Sequence, residues 1–232
     1  MVKVNECANV DSCTFNTDVS NNQKAQRNVS VFNPDAKPIT NSEDSTTVTP
    51  EYAQEIVSGT CKNKKIKAFG ITHYQYNDCK SSDLTDVGGG IKVHKKCAAA
   101  FKEMQKAAAK DGVNIYVVSG FRSKKYQVNV FKKKFTNKNC PSFKELKARL
   151  EFSAPSGYSE HHTGLAIDIN DTEQRFANTK AYKWLQENAK EYGFEISFPE
   201  NNHQKLGYEP WHWRYVGDVE SKKVFEDARL KK

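Results

Sequence analysis

Residues Ser156-Gly157-Tyr158-Ser159-Glu160-His161-His162-Thr163-Gly164-Leu165-Ala166-Ile167-Asp168-Ile169 decide how this chain is read. His161 stands seven residues ahead of Asp168, and Gly164 between them permits a tight turn. Leu165–Ile169 has the composition of a short strand. At period two, Ala166 and Asp168 face one side, while Leu165, Ile167 and Ile169 face the core. A carboxylate on so apolar a strand is costly to bury unless it is paired or bound to a metal. A histidine nitrogen beside an aspartate oxygen is acceptable zinc chemistry.

A second segment, Glu209-Pro210-Trp211-His212-Trp213-Arg214-Tyr215-Val216-Gly217, supplies the partner. If Trp211–Val216 is a strand, Trp211, Trp213 and Tyr215 share one face and His212 and Arg214 the other. His212 then meets a polar site while the aromatics pack. Three ligands, His161, Asp168 and His212, leave a fourth position for water, which is the layout of a catalytic rather than a structural zinc site. Glu209 lies three residues before His212, across Pro210, and fits the role of a non-ligand carboxylate acting as general base. The competing reading is a set of polar residues satisfied inside a core.

Outward from these segments, the chain from about residue 65 alternates short strands and helices. Ile66–Gln75 reads as a strand. Val93–Lys110 reads as a helix, with Cys97, Phe101, Met104 and Ala108 on one face at period 3.6. Val113–Ser119 reads as a strand, Ser123–Phe135 and Phe143–Phe152 as helices. Thr179–Tyr192 is a helix stopped by Gly193, and Val219–Leu230 is a terminal helix. No regular βαβ repeat appears, so the class is α+β. The first 50 residues hold eight Asn, five Ser and six Thr without helical periodicity. Residues 1–60 are therefore expected to be a polar extension or linker tied by Cys7 and Cys13, and residues 61–232 the working domain.

Composition bounds the rest. In 232 residues, 37% are apolar and the net charge is +8. The longest clean apolar run, Ile115–Val118, is far short of the roughly 20 residues a membrane span needs. No N-terminal apolar segment of signal-peptide type is present in the sequence as given. Six Cys without a CxxC spacing favour disulfides in an oxidising compartment over a zinc ribbon. The positive charge suits an anionic partner such as nucleic acid or a cell wall, although Lys132–Lys134 also reads as a solvated face. With no nucleic-acid motif, nucleic acid is not expected as the partner.

These residues carry a resemblance to the VanY-type zinc D-alanyl-D-alanine carboxypeptidases, which share a fold with the Hedgehog signalling domain. The family pattern Ser-x-His-x-x-Gly-x-Ala-x-Asp followed by Glu-x-x-His is present as Ser159, His161, Gly164, Ala166, Asp168, then Glu209 and His212. A third family segment is matched by Val118-Ser119-Gly120-Phe121-Arg122-Ser123, followed by Tyr126-Gln127. The resemblance covers roughly residues 90–220. His162 stands where the family often has Gln, and Phe121 where Tyr is common.

The resemblance implies a small antiparallel sheet with helices packed around it. It implies one Zn²⁺ per chain on His161, Asp168 and His212. Glu209 activates the water and passes its proton to the leaving amine, and Arg122 stabilises the oxyanion. Ser159, Gln127, Tyr126 and Trp211 lie in the substrate cleft. The implied substrate is a peptidoglycan stem peptide ending in D-Ala-D-Ala, and the expected compartment is periplasmic or extracellular at the cell wall. A monomer is expected because no interface stripe is evident in the sequence. The alternatives are an L,D-carboxypeptidase or lysin-type endopeptidase on the same wall, and a non-catalytic zinc-bearing module, for which Glu209 and Arg122 would be superfluous.

Overall fold

The computed structural model describes residues 48–229. Helix α1 (Pro50–Ser58) starts where Thr49 Oγ1 accepts the Tyr52 N–H at 3.2 Å, with Pro50 in the first turn. A hairpin of β1 (Lys65–Ala68) and β2 (Ile71–Tyr74) follows, turning at Phe69–Gly70. A second pair, β3 (Leu84–Asp86) and β4 (Lys92–His94), leads into α2 (Lys95–Lys110). There the His94 imidazole caps the helix by accepting the Lys96 N–H. The helix buries Cys97, Phe101, Met104 and Ala108, the stripe its periodicity predicts.

Next come β5 (Val117–Ser119), α3 (Lys124–Lys132), α4 (Phe143–Phe152), β6 (Ala166–Ile169) and α5 (Lys180–Asn188). The chain closes with β7 (Phe194–Ile196), β8 (His212–Tyr215) and two short helices, α6 (Val219–Val224) and α7 (Glu226–Arg229). Helix α4 begins with a reciprocal cap: Ser142 Oγ accepts the Glu145 N–H, and Glu145 accepts the Ser142 N–H.

The central sheet is antiparallel, in the order β5-β6-β8-β7. Its register sets Asp168 opposite His212 and Ala166 opposite Arg214, with Ser119 beside Asp168 on the other edge. This is the α+β architecture expected. One apolar core packs α2, α5 and the sheet around Ile167, Phe194 and Trp213. A second packs α1, the β1–β2 hairpin, α3 and α4 around Ile56, Ile66, Phe131 and Leu146.

Four expectations change. Helix α1 falls inside the stretch read as a polar extension, yet Ala53, Ile56 and Val57 are buried in the second core. Averaging over an Asn/Ser/Thr-rich tract hides a nine-residue helix whose apolar positions recur at three to four residues. Ile66–Gln75 is a hairpin rather than one strand. Phe194–Ile196 is a strand that the pattern did not announce. Finally, Cys61, Cys79 and Cys97 are free thiols, so no disulfide set takes in all six cysteines; Cys7 and Cys13 lie outside the described residues.

Candidate active site

A single 3₁₀ turn, Glu160–Thr163, presents His161 to the central sheet. Ser159 opens it and Gly164 closes it at φ 66°, where a Cβ would sit 2.9 Å from the His94 nitrogen. Only glycine meets both conditions. Asp168 arrives on β6 and His212 on β8, directly paired in the sheet. His161 Nε2 lies 3.3 Å from Asp168 Oδ2, and His212 Nδ1 lies 3.0 Å from Asp168 Oδ1. Two donors about 2.0 Å from one tetrahedral ion are about 3.3 Å apart, so the donor atoms fit a metal. All three side chains are buried, and one ligand atom from each lies within 4.8 Å of the others.

The nitrogens facing away from that point are held. His161 Nδ1–H donates to the Gly120 carbonyl at 2.7 Å. A Cβ on Gly120 would lie 2.5 Å from the Lys92 oxygen, so only glycine brings this carbonyl so close. His212 Nε2 lies 3.1 Å from Glu160 Oε2. Each imidazole therefore presents a defined nitrogen to the centre, the arrangement that orients ligand histidines.

Glu209 lies beside this centre, its Oε2 3.8 Å from His212 Nδ1. Burial, reinforced by the negative charge of Asp168, pushes its pKa up to about 8 against the pull of His212 and Arg122. Burial, with the nearby Arg122, brings His161 down to about 4, so it is neutral near pH 7. Burial also opposes charge on Asp168, but His161 and His212 outweigh it and hold the carboxyl well below the usual range.

Arg122 lines the same cleft, about 540 Å³ in volume, together with Ser159, Glu209, Trp211 and Phe198. Its Nη1 donates to Ser119 Oγ at 3.2 Å, while its Nε is buried without a partner. Its carbonyl is pinned by His162, whose Nδ1–H donates to it at 2.6 Å while Nε2 accepts the Gly157 N–H. His162 therefore turns away from the centre. Ser159 is buried and its Oγ accepts the His161 N–H. Tyr126 is exposed and lines an adjoining cavity of about 350 Å³ that shares Arg122. Gln127, expected in the cleft, is buried with Nε2 bonded to the Ala154 carbonyl and lines neither cavity.

Sequence reasoning missed Glu160, Arg214 as its partner, and Arg149. Glu160 is buried and accepts from Arg214 Nη1 at 2.7 Å and from Ser197 Oγ at 2.5 Å. The signal was that Arg214 shares the face of His212, so a buried carboxylate was needed opposite. Arg149 sits in the cleft wall, its guanidinium fixed by the carbonyls of Val130 and Phe131.

A profile of the family described as VanY: D-alanyl-D-alanine carboxypeptidase matches residues 90–218, more than half of the chain. The chain belongs to the VanY family. Among curated VanY relatives, the putative carboxypeptidase YodJ of Bacillus subtilis is 40% identical over 146 residues, 60% of this chain and 51% of that protein. A D-alanyl-D-alanine carboxypeptidase of Enterococcus faecium is 35% identical over 130 residues, 55% of this chain and 38% of that protein. The chain thus spans about half or less of these relatives' lengths.

Among solved structures, a vancomycin-resistance D,D-pentapeptidase VanY in complex with Zn(II) aligns with TM-score 0.52 at 28% identity, covering 65% of this chain and 89% of that one. The LdcB LD-carboxypeptidase aligns with TM-score 0.54 at 33% identity, covering 73% and 91%. The VanY fold expected from the three motifs is the fold of this chain.

Proposed function

We propose that this chain is a zinc D,D-carboxypeptidase that removes the terminal D-Ala from peptidoglycan stem peptides ending in D-Ala-D-Ala. The observation that carries the reading is one buried cleft holding the His161/Asp168/His212 donor set, the Glu209 carboxylate and the unpartnered Arg122 Nε. Bound to these three donors, Zn²⁺ would polarise the scissile carbonyl and acidify a water at neutral pH.

The rest is the work of the chain's own side chains. Glu209 takes the proton of the attacking water and hands it to the leaving amine, which a carboxyl with a raised pKa can do in both directions near neutrality. Arg122 aims positive charge into the cleft, where the tetrahedral oxyanion develops. Trp211 and Ser159 line the walls that hold the peptide. The relatives named as D-alanyl-D-alanine carboxypeptidases support the substrate class. We place the enzyme at the cell wall, outside the cytoplasm, as a monomer whose catalytic body begins at α1 rather than at residue 61. No helix among the described residues is long and apolar enough to cross a membrane.

The test is mass spectrometry of synthetic stem peptides after digestion, with and without a chelator. Chelator-sensitive loss of one D-Ala from the pentapeptide alone is expected. Loss from the tetrapeptide instead would reassign the enzyme to L,D-cleavage. No cleavage of either with zinc bound would move the reading to an endopeptidase or a binding module.

A further inference from the structure

The arginines of residues 48–229 fall into two groups. Arg175, Arg214 and Arg229 each meet a carboxylate, at 2.9, 2.7 and 2.7 Å. Arg122 and Arg149 meet none among the described residues, and these are the two that line the catalytic cleft. Arg122 answers to the oxyanion, a charge that exists only during the reaction. Arg149 is a second half-buried guanidinium in the same cleft. A cation withdrawn from water without a countercharge is costly.

Arg149 is also rigidly held. From α4 it donates through Nε to the Phe131 carbonyl at 2.9 Å and through Nη2 to the Val130 carbonyl at 2.6 Å, and its Cζ lies 5.9 Å from the Phe131 ring centre. Both carbonyls belong to the last turn of α3, where a helix leaves its acceptors open. A pin between α3 and α4 needs no more than this one edge of the fork. Nη1 and the second hydrogen of Nη2 have no partner among the described residues. That remaining edge matches a carboxylate through two parallel bonds.

The surroundings of Arg149 select the carboxylate. Burial lowers its pKa, the charge of Arg122 lowers it further, and Glu209 opposes both. Arg149 therefore lies within electrostatic reach of the two groups that carry the reaction. In a peptide cut at its last bond, the terminal carboxylate stands two bonds beyond the scissile nitrogen and is present in every substrate. Carboxylates further up the peptide lie on the other side of the scissile carbonyl. Gln127, which the family resemblance places among the substrate contacts, gives its amide to the Ala154 carbonyl and is not available for this anion.

We infer that Arg149 is a specificity-determining residue that receives the terminal carboxylate of the substrate and thereby confines cleavage to the last peptide bond. This rests on the reading of the chain as a carboxypeptidase. Arg122 then meets the transient anion and Arg149 the permanent one.

The experiment uses the zinc-loaded full chain and its Arg149→Gln and Arg149→Lys variants. Each is given the D-Ala-D-Ala pentapeptide as the free acid and as the C-terminal carboxamide, with kcat and KM measured separately. The wild type is expected to favour the acid. Arg149→Gln should lower the acid-to-amide ratio of kcat/KM by about 10–100-fold, with most of the loss on the acid in KM. Arg149→Lys keeps the charge without the fork and should fall between the two.

A merely structural pin would slow both substrates by the same factor, so an unchanged ratio in Arg149→Gln overturns the inference. Pentapeptides carrying diaminopimelate or lysine at position three then show whether the anion is an upstream side chain instead. If Arg149→Gln fails to fold, judged by its melting curve and zinc content, the same ratio in Arg149→Lys decides. A wild type that cleaves neither peptide defeats the proposed activity and leaves Arg149 to calorimetry. Tighter binding of the acid than of the amide by the wild type, lost in the variants, upholds its role, and equal affinities overturn it.

Discussion

Glu160 Oε2 lies 3.1 Å from Nε2 of His212, on the far side of the imidazole from Asp168, whose Oδ1 is 3.0 Å from Nδ1. The carboxylate does two things at once. It fixes His212 so that Nδ1 faces the metal donors, and it neutralises the buried Arg214, which also reaches Glu195 at 2.8 Å. Arg229 extends the chain by donating to Glu195 at 2.7 Å. A Glu160→Gln variant is therefore expected to bind zinc about 10–100-fold more weakly, measured by chelator competition. It should also lose stability, by up to roughly 3 kcal/mol, because the buried Arg214 keeps only the part-exposed Glu195 as countercharge. A lower melting temperature with unchanged zinc affinity would reduce Glu160 to a structural partner of Arg214.

Metal uptake should expel protons. In the metal-free protein, burial works against charge on His212, but its bonds to Asp168 and Glu160 outweigh burial and raise its pKa to about 10. Below that pH both ring nitrogens carry hydrogen, and a ligand nitrogen must be bare. His161 is already neutral near pH 7 and releases nothing. Zinc affinity is therefore expected to rise with pH between about 6 and 9, by about tenfold per unit for each proton released. Titration calorimetry at pH 7 in buffers of different ionisation enthalpy should count about one proton or more. An affinity flat across this range contradicts the assignment of charge to His212.

Glu209→Gln keeps the size of the side chain and removes the base. The expected outcome is retained zinc and a fall in kcat of about 10²–10⁴-fold. Full peptidase activity with zinc bound would exclude Glu209 as the proton carrier. The pKa of about 8 applies before any cation is nearby. A bound divalent ion favours the carboxylate, so the acid limb of the kcat/KM profile should fall well below pH 8.

Arg122 is separable from Glu209 by its kinetic signature. Its charge is aimed at the developing oxyanion, so Arg122→Ala is expected to cost about 10²–10³ in kcat with little change in KM. A rise in KM at constant kcat would mean that the guanidinium binds the ground state instead. His162 supports this side chain through the Arg122 carbonyl, so His162→Ala should lower kcat in the same direction but less.

The two halves of the site differed in how visible they were. His212 and Arg214 could be placed on one face from period two alone, because β8 alternates aromatic and polar residues. The three metal donors could be named because His161, Asp168 and His212 sit in motifs of fixed spacing. Glu160 could not, since a 3₁₀ turn has no alternation from which to read a direction. Its role depends on Ser197 and Arg214, 37 and 54 residues away in the chain. At the β1–β2 tip Gly70 was a visible break, but its partner in the two-residue turn is Phe69, a residue of strand composition that takes a positive φ of 54°, so the run read through as one strand. Gln127 looked available in the sequence, but the Ala154 carbonyl takes its amide.

Helix α1 sets the test of where the folded body begins. Ile56 is completely buried in the second core with Ile66, Phe131 and Leu146. The α3 and α4 helices that it covers carry the cleft residue Arg149, and Gly59 at its end abuts Ser156 just ahead of the catalytic turn. Ile56→Ala is expected to cost about 2–5 kcal/mol, as for other large-to-small changes in a packed core. The zinc-loaded chain without residues 1–47 sets the reference melting temperature. Removing residues 1–60 should lower it sharply and reduce peptidase activity, because the second core and one wall of the cleft lose their cover. If the two truncated chains melt together, α1 is an appendage and the boundary returns to residue 61.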